Sequence, residues 1–385
     1  MIITRLRNSV LTIPVIPYYR WMKVSPVSTS PRIYRLYGRT LRSTYPVATP
    51  EKPGPLSVPV DIEVYFDGFE ERETTDPFSS SHPPDAIGRV WKILPNGYRM
   101  LRYYSETGFM VQYLIREDGR EIRMSQSWPE WRDSLFGLMN PAMAAAVVLG
   151  GTPVLHGSSL VYNGKSFLLM GVSGVGKSTL STALAVAGMM SHSDDIGVPG
   201  DLGKDGPVLI QSGYGQIKVT PDLPARVGLP DVKLQPIYVT DYFEAEPEAT
   251  RAIDTGTPKV SSDNPDDTDS PVTGVEEMWL PADALPAGFY PDAAPLAGIV
   301  VLAGREHGIA DPKIEPLHGM QAVMALTEHM YGRDWLQRPS SNDVMLFQRL
   351  AGCAPVWRVR MPDNIDYLMN SARKLLKSCI EPSAH

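Results

Sequence analysis

The chain has 385 residues, 43% of them hydrophobic and 21% charged, with a formal net charge of −7. It is long enough for two domains and apolar enough for a sizeable core, and its negative charge argues against nucleic-acid binding, which needs cations to neutralise phosphates. Two cysteines, Cys353 and Cys379, exclude a disulfide framework or a cysteine-built metal site and suit a reducing cytoplasm, and no run approaches about 18 apolar residues, so no stable membrane insertion is expected.

Residues 1–50 carry eight Lys/Arg and no acid. Pro14, Pro17 and Arg20 interrupt the apolar run that a secretory signal needs, so residues 1–30 read as a basic, poorly ordered extension, with Met22 as an alternative start. Residues 31–45 alternate apolar and polar and read as strand-like. A Pro-rich linker (46–59) precedes the strand DIEVYF (61–66). RVWKIL, YRMLRYY, FMVQYLI and REIRMS follow as a meander, with Asn96-Gly97 and Asp118-Gly119 as hairpin turns. Residues 31–128 are therefore expected to form a small antiparallel β region.

The remaining chain, 129–385, reads as a second domain. EWRDSLFGLMNPAMAAAVVL (130–149) is helical with a kink or break near Pro141. TPVLHGSSLVYNGKSFLLMG is a hairpin around Asn163-Gly164. STLSTALAVAG is a helix ending at Gly188, and MMSHSDDIGV (189–198) is a short strand ending in two carboxylates. Residues 244–276 are acidic and rich in Pro, Ser, Thr and Asp, the composition of a flexible insertion or a mobile lid. A buried strand (294–303), two amphipathic helices (319–332 and 341–352), the strand VWRVRMP and a closing helix (363–378) complete the chain.

The chemistry concentrates in GVSGVGKST, which satisfies G-x-x-x-x-G-K-[ST]. Gly171, Val172, Ser173, Gly174, Val175, Gly176, Lys177, Ser178 and Thr179 are the candidate nucleotide-binding residues. The glycines leave backbone N–H groups open to phosphate oxygens. Lys177 reaches the β- and γ-phosphates, and Ser178 offers its hydroxyl to Mg²⁺. ATP or another nucleoside triphosphate with Mg²⁺ is thus the expected cofactor set. The short helix and immediate return strand bring Asp194 and Asp195 beside this loop. One carboxylate there can support the metal while the other accepts a proton from an attacking hydroxyl. His156 lies eight residues from the Asn163 turn, so its place across the hairpin is near Gly171, within reach of Asp194. His192 divides evenly between a structural and a functional role.

Residues 156–198 resemble the catalytic core of the HPr kinase/phosphorylase family, in which a His-Gly pair opens a hairpin into the phosphate loop and a strand with two aspartates follows. By position His156, Gly171 to Ser178, Asp194 and Asp195 match that family's motifs. The resemblance implies an α/β (α+β) fold, a P-loop domain of the kind shared with ATP-type PEP carboxykinases joined to the N-terminal β region. It also implies that one aspartate is the base toward a serine. AGIVVLAG, IEPLHGMQAV, VWRVRMP and the opening YRLYGRTLRSTYPV look like HPr-kinase-like proteins of bacterial gene clusters, some of which phosphorylate a precursor peptide. The family's Glu-x-Arg-Gly-Leu-Gly stretch is absent. QSGYGQIKVTPD stands in its place with Tyr214 and Lys218, pointing away from HPr as acceptor and from the reverse phosphorolysis. Lys218 is a candidate phosphate or substrate contact, set against a solvated lysine.

The expectation is a cytoplasmic Mg²⁺-dependent serine kinase acting on a small protein or peptide, with room for a homo-oligomer. Lys177 stabilises phosphoryl charge, Ser178 and Asp195 hold the metal, Asp194 is the base and His156 orients it, and the two aspartates are interchangeable in these roles. A kinase of free serine or a non-catalytic nucleotide-binding module are the alternatives.

Overall fold

The computed structural model describes residues 30–45, 47, 57–69, 88–104, 110–126, 134–200, 206–237 and 277–383. The basic extension through residue 29 and the acidic insertion 244–276 lie outside the described residues.

Residues 31–45 are a hairpin rather than one strand. β1 (Arg32–Leu36) and β2 (Arg39–Ser43) pair antiparallel, and Tyr37 (φ +53°) and Gly38 (φ +70°) make the turn between them. Two consecutive positive φ values are the geometry of a tight hairpin turn, and a tyrosine there gives no composition signal. β3 (Ile62–Phe69) lies parallel to β2 and to β7, whereas β4 (Gly88–Ile93), β5 (Tyr98–Tyr104), β6 (Met110–Arg116) and β7 (Glu121–Gln126) form the expected antiparallel meander. The seven-stranded sheet, in order β1-β2-β3-β7-β6-β5-β4, is therefore mixed, not antiparallel throughout. The linker after β2 is long enough to carry the chain back to the edge where β3 starts, which a tight turn could not do.

Next come α1 (Leu135–Gly137), a π-helical turn over Leu138–Ala142 that contains Pro141, and α2 (Met143–Leu149). Proline cannot donate to the helical ladder, and the wider turn accommodates it without ending the helix. Nearly every residue from Leu135 to Val148 is buried. These residues pack with Leu41, Ile62, Tyr113 and Ile122 of the first sheet and with Ile196, Tyr214 and Trp279 of the following region. One core thus runs across the expected boundary near residue 128.

The second sheet starts with β8 (Leu155–Tyr162) and β9 (Lys165–Met170), the hairpin around Asn163-Gly164. α3 (Lys177–Val186) leads to β10 (Met190–Ser193), β11 (Ile196–Pro199) and β12 (Leu209–Gln211). β13 (Gln216–Val219), a short α4 (Leu223–Arg226), β14 (Gln235–Pro236) and β15 (Met278–Pro281) follow, and β13-β15-β14 make a small antiparallel sheet. β16 (Ala294–Glu306), β17 (Lys313–Leu317), α5 (Met320–Glu328), α6 (Ser341–Cys353), β18 (Val356–Pro362) and α7 (Leu368–Leu375) complete the fold.

The pairings close a circuit from β8 to β9, β16, β12, β11 and back to β8. Two apolar cores flank it. One joins α3 and α7 through Leu180, Leu184, Leu368 and Ala372. The other joins α5 and α6 through Leu326, Phe347 and Leu350. Ser340 caps α6, its side chain accepting from the Asp343 N–H while Asp343 accepts from the Ser340 N–H, a reciprocal box of the kind that contributes about 1 kcal/mol. The architecture is α/β, as expected.

Candidate active site

β9 and β16 run parallel, so their C-terminal ends reach one edge together, with Met170 beside Val301. The phosphate loop leaves from there. A Cβ at Gly171 would lie 2.8 Å from Val175 Cγ1 and 3.0 Å from Leu302 O, so only glycine lets the loop pack on β16. Gly174 (φ +72°) and Gly176 (φ +102°) turn in the left-handed region that other residues avoid. α3 begins at once, aiming its first N–H groups into the loop. Lys177 is 6% exposed, and its Nζ donates to Gly171 O (2.9 Å) and Val172 O (3.3 Å), so the ammonium lies across the mouth of the loop.

The carboxylates follow directly on the last residue of β10. They form a kink between β10 and β11, both of which pair with β8. Ile196 N donates to Asp194 O (2.7 Å) across Asp195, whose φ is +60°, while Gly157 N on β8 donates to Asp195 O (3.0 Å). An i to i+2 bond about a positive-φ residue is a strained turn, costing on the order of 1–3 kcal/mol, and such turns concentrate at functional positions. Its effect is to point two consecutive side chains at the loop edge.

The two carboxylates have different surroundings. Asp194 is 1% exposed. Its Oδ1 accepts from Ser158 Oγ (2.7 Å) and lies 3.5 Å from Ser178 Oγ, and its Oδ2 accepts from the Lys218 N–H (2.9 Å). Burial pushes its carboxyl up to about 7, and the neighbouring Asp195 charge adds to the rise against the Lys218 amide and Ser158 hydroxyl. The Asp195 side chain keeps 19% exposure and faces Lys218 Nζ at 3.7 Å. Burial would raise its pKa, but Lys218, then His156 and Lys177, outweigh that and hold it below the ordinary value. Lys218 also pairs with Glu277 (3.4 Å) and stands over the Phe136 ring at 5.4 Å.

His156 lies one residue before the hairpin ladder begins. The ladder with β9 starts at Gly157 opposite Met170, and on the other side of β8 His156 pairs with Ile196 of β11, directly after the aspartates. Its N–H donates to His329 O (2.8 Å), and its ring stands edge-on to Tyr331 at 6.1 Å. Its charge bears on Asp195, while Asp194 takes its hydrogen bonds from Ser158 and Lys218. His192 is wholly buried, bonded at Nδ1 to Ser159 Oγ (3.1 Å) and at Nε2 to Asp292 O (2.9 Å), and burial lowers its pKa to about 4. It is a neutral strut beneath the site. Tyr214 is also buried, its Oη accepting from Asn140 Nδ2 (2.7 Å).

Two residues at this edge carry no signal in the sequence. Arg305, at the end of β16, brings Nη2 within 3.1 Å of where a Cβ on Gly176 would stand, and it is found only because β16 lies parallel to β9. Tyr37, from the first hairpin, is 1% exposed behind the aspartates, with its N–H on Ser212 O (2.9 Å). Burial, then the charges of Asp195 and Asp194, raises the pKa of its phenol well above the ordinary value, against the lowering influence of the Ser193 hydroxyl. A Cβ at Gly213 would collide with Ser193 Oγ and lie 2.9 Å from Tyr37 Cε1.

The donor set suits a phosphate-bound Mg²⁺, which takes hard oxygens from one or two carboxylates and from the phosphates themselves. Ser178 and Asp194 supply such oxygens together. No group of three His, Cys, Asp or Glu able to hold a metal by itself occurs among the described residues. No described helix is long and apolar enough to cross a membrane.

No protein-family model and no curated protein matches this chain. Among solved structures, it is similar to the Hpr(Ser) kinase/phosphatase from Coxiella burnetii at 13% identity and a TM-score of 0.25, over 58% of this chain and 95% of that one.

Proposed function

We propose that the protein is an ATP-dependent serine kinase, transferring the γ-phosphoryl group to a serine hydroxyl of a small protein or peptide. The observation that carries this reading is the shared edge of loop and carboxylates, with Ser178 Oγ 3.5 Å from Asp194 and Asp195 partly open beside it. A module that only bound nucleotide would have no use for a second, strained carboxylate at the reacting end of the loop.

In this reading Lys177 leaves the Gly171 and Val172 carbonyls and turns to the β- and γ-phosphates, where the loop N–H groups also converge. Ser178 and Asp194 would hold Mg²⁺, which when bound offsets phosphate charge. Both Asp194 oxygens are engaged and its side chain is closed to solvent, so Asp195, ionised and partly open, is the carboxylate that an acceptor hydroxyl can reach. This exchanges the roles first expected for the pair. The serine oxygen bonds to the γ-phosphorus, the bond to the bridging β–γ oxygen breaks, and the serine proton goes to Asp195. His156 and Lys218 keep Asp195 ionised and oriented.

The test is incubation with γ-labelled ATP, Mg²⁺ and a panel of serine-bearing peptides, small proteins and free serine. Phosphoserine on a peptide or protein supports the proposal. Label on free serine alone supports the metabolite reading. ATP binding with no transfer and no hydrolysis would leave a regulatory module.

A further inference from the structure

We infer that a row of aromatic side chains leading away from His156 is the docking surface for the acceptor, and that its occupant is an extended peptide with bulky apolar residues beside its serine. This rests on the proposed function for the occupant, but on residues apart from the phosphate loop for its geometry. His156 pairs with Ile196, the residue directly after Asp195, so the inner end of the row adjoins the carboxylate that a serine hydroxyl can reach. From there the rings follow one another edge to face. Tyr331 stands against His156 at 6.1 Å, Trp335 against Tyr331 at 5.9 Å, and Trp91 against Trp335 at 4.9 Å. An extended chain advances about 3.3 Å per residue, so the row matches at most about five residues of peptide.

Three distant segments build it: β8 gives His156, the turns after α5 give Tyr331 and Trp335, and β4 gives Trp91. Exposure rises along the row. Tyr331 is 7% exposed, Trp335 and Trp91 are half-buried, and Ile93, on the same face of β4 as Trp91, is 58% exposed. A stripe that only joined the two sheets would be closed at its outer end. This one opens at the edge of the first sheet, where β4 is the last strand and no other described strand lies beyond it. An edge strand also offers backbone groups to an added chain. Tryptophan and tyrosine present large contact areas with few rotatable bonds, which suits them to gripping a peptide. Arg333 and Asp334, between the two rings in sequence, pair with each other at 3.1 Å, so this segment adds no net charge and selects by apolar contact. Free serine would make no use of the row.

Two peptides test this, identical except that the three residues on either side of a single serine are Leu and Phe in one and Gly and Ala in the other. With γ-labelled ATP and the full chain, the wild type should favour the apolar peptide at least about tenfold in kcat/KM, through KM. Trp91→Ala and Trp335→Ala should each bring that preference below about threefold, with kcat at saturating peptide changed by less than about threefold. Trp335→Phe, which keeps a ring, should keep the preference. Loss of folded protein lowers the rates for both peptides alike and leaves their ratio in place, so misfolding does not imitate the result. Phosphorylation without a preference between the peptides, or a preference that both alanine variants retain, would overturn the docking row and leave the kinase reading standing. Transfer to free serine alone, or to no acceptor, would overturn both.

Discussion

Ser178 Oγ, in the first turn of the helix after the phosphate loop, lies 3.5 Å from Asp194 Oδ1, at the kink between two strands that both pair with β8. This contact joins the glycine-rich loop motif to the carboxylate pair. It also gives the two aspartates different surroundings, because the next residue turns its side chain toward Lys218 instead.

Asp195→Asn is expected to lower kcat by about 10²–10⁴-fold, the usual range for loss of a positioned proton acceptor, while nucleotide affinity stays within about threefold. Asp194→Asn should instead reduce the gain in nucleotide affinity that Mg²⁺ provides. Fluorescent-nucleotide titrations with and without Mg²⁺, beside steady-state rates, distinguish the two. Identical profiles for both variants would contradict the division of roles.

Stability in metal-free buffer should carry the mark of Asp194. Its carboxyl titrates at about 7 in the fold, against an ordinary value near 4 in the unfolded chain. Between these values the native state holds the extra proton, so stability falls as pH rises from about 4 to about 7 and levels off above. Asp194→Asn removes this slope and should gain on the wild type across that window, with the gain complete above about pH 7. Urea melts at pH 5 and pH 8 measure the difference. A constant offset between the two proteins would contradict it.

Two buried histidines act in the opposite sense. Burial lowers the pKa of His192 and His329 to about 4, so the unfolded chain takes up their protons first on acidification. The stability they contribute is complete above about pH 6.5 and is lost as pH falls toward 4. Glutamine at position 192 can accept from Ser159 and donate to Asp292 O without titrating. His192→Gln should therefore show a shallower loss of Tm between pH 6.5 and pH 4.5 than the wild type, as followed by circular dichroism. An unchanged slope would mean that His192 does not titrate between these limits.

The packing of Tyr37 behind the aspartates predicts an unequal pair of variants. Gly213→Ala drives a methyl into Ser193 and Tyr37 and should cost about 1–3 kcal/mol. Because Ser193 adjoins Asp194, kcat should fall as well. Tyr37→Phe removes a hydroxyl whose neighbour Ser193 already donates to Ile196 O, and should change stability by less than about 1 kcal/mol. Chemical denaturation measures both, and a large loss in Tyr37→Phe would show that the hydroxyl is bonded in solution.

The glycine-rich loop, the hairpin around Asn163-Gly164 and the helix distortion at Pro141 were legible because each depends on local chemistry. Glycines permit the loop's backbone, Asn-Gly closes the hairpin, and proline removes a helical donor. The nearness of the Asp pair to the loop was legible too, since a ten-residue helix leaves little freedom in where the chain returns. The kink at Asp195 was not, because its positive φ is held by hydrogen bonds to β8 that no neighbouring residue announces.

By itself, then, the sequence determined that the chain is α/β, that a glycine-rich loop opens a helix beside a carboxylate pair, and that a β region precedes it. Only the tertiary structure decided which aspartate faces Ser178 and which faces Lys218. It alone brought Arg305 to the loop, placed Tyr37 of the first hairpin behind the site, and carried one core across the expected boundary. The physical reason is distance along the chain. These relations depend on β16 pairing parallel to β9 and on the first sheet packing against Leu135–Leu149, contacts between segments far apart in sequence that neither periodicity nor turn chemistry encodes.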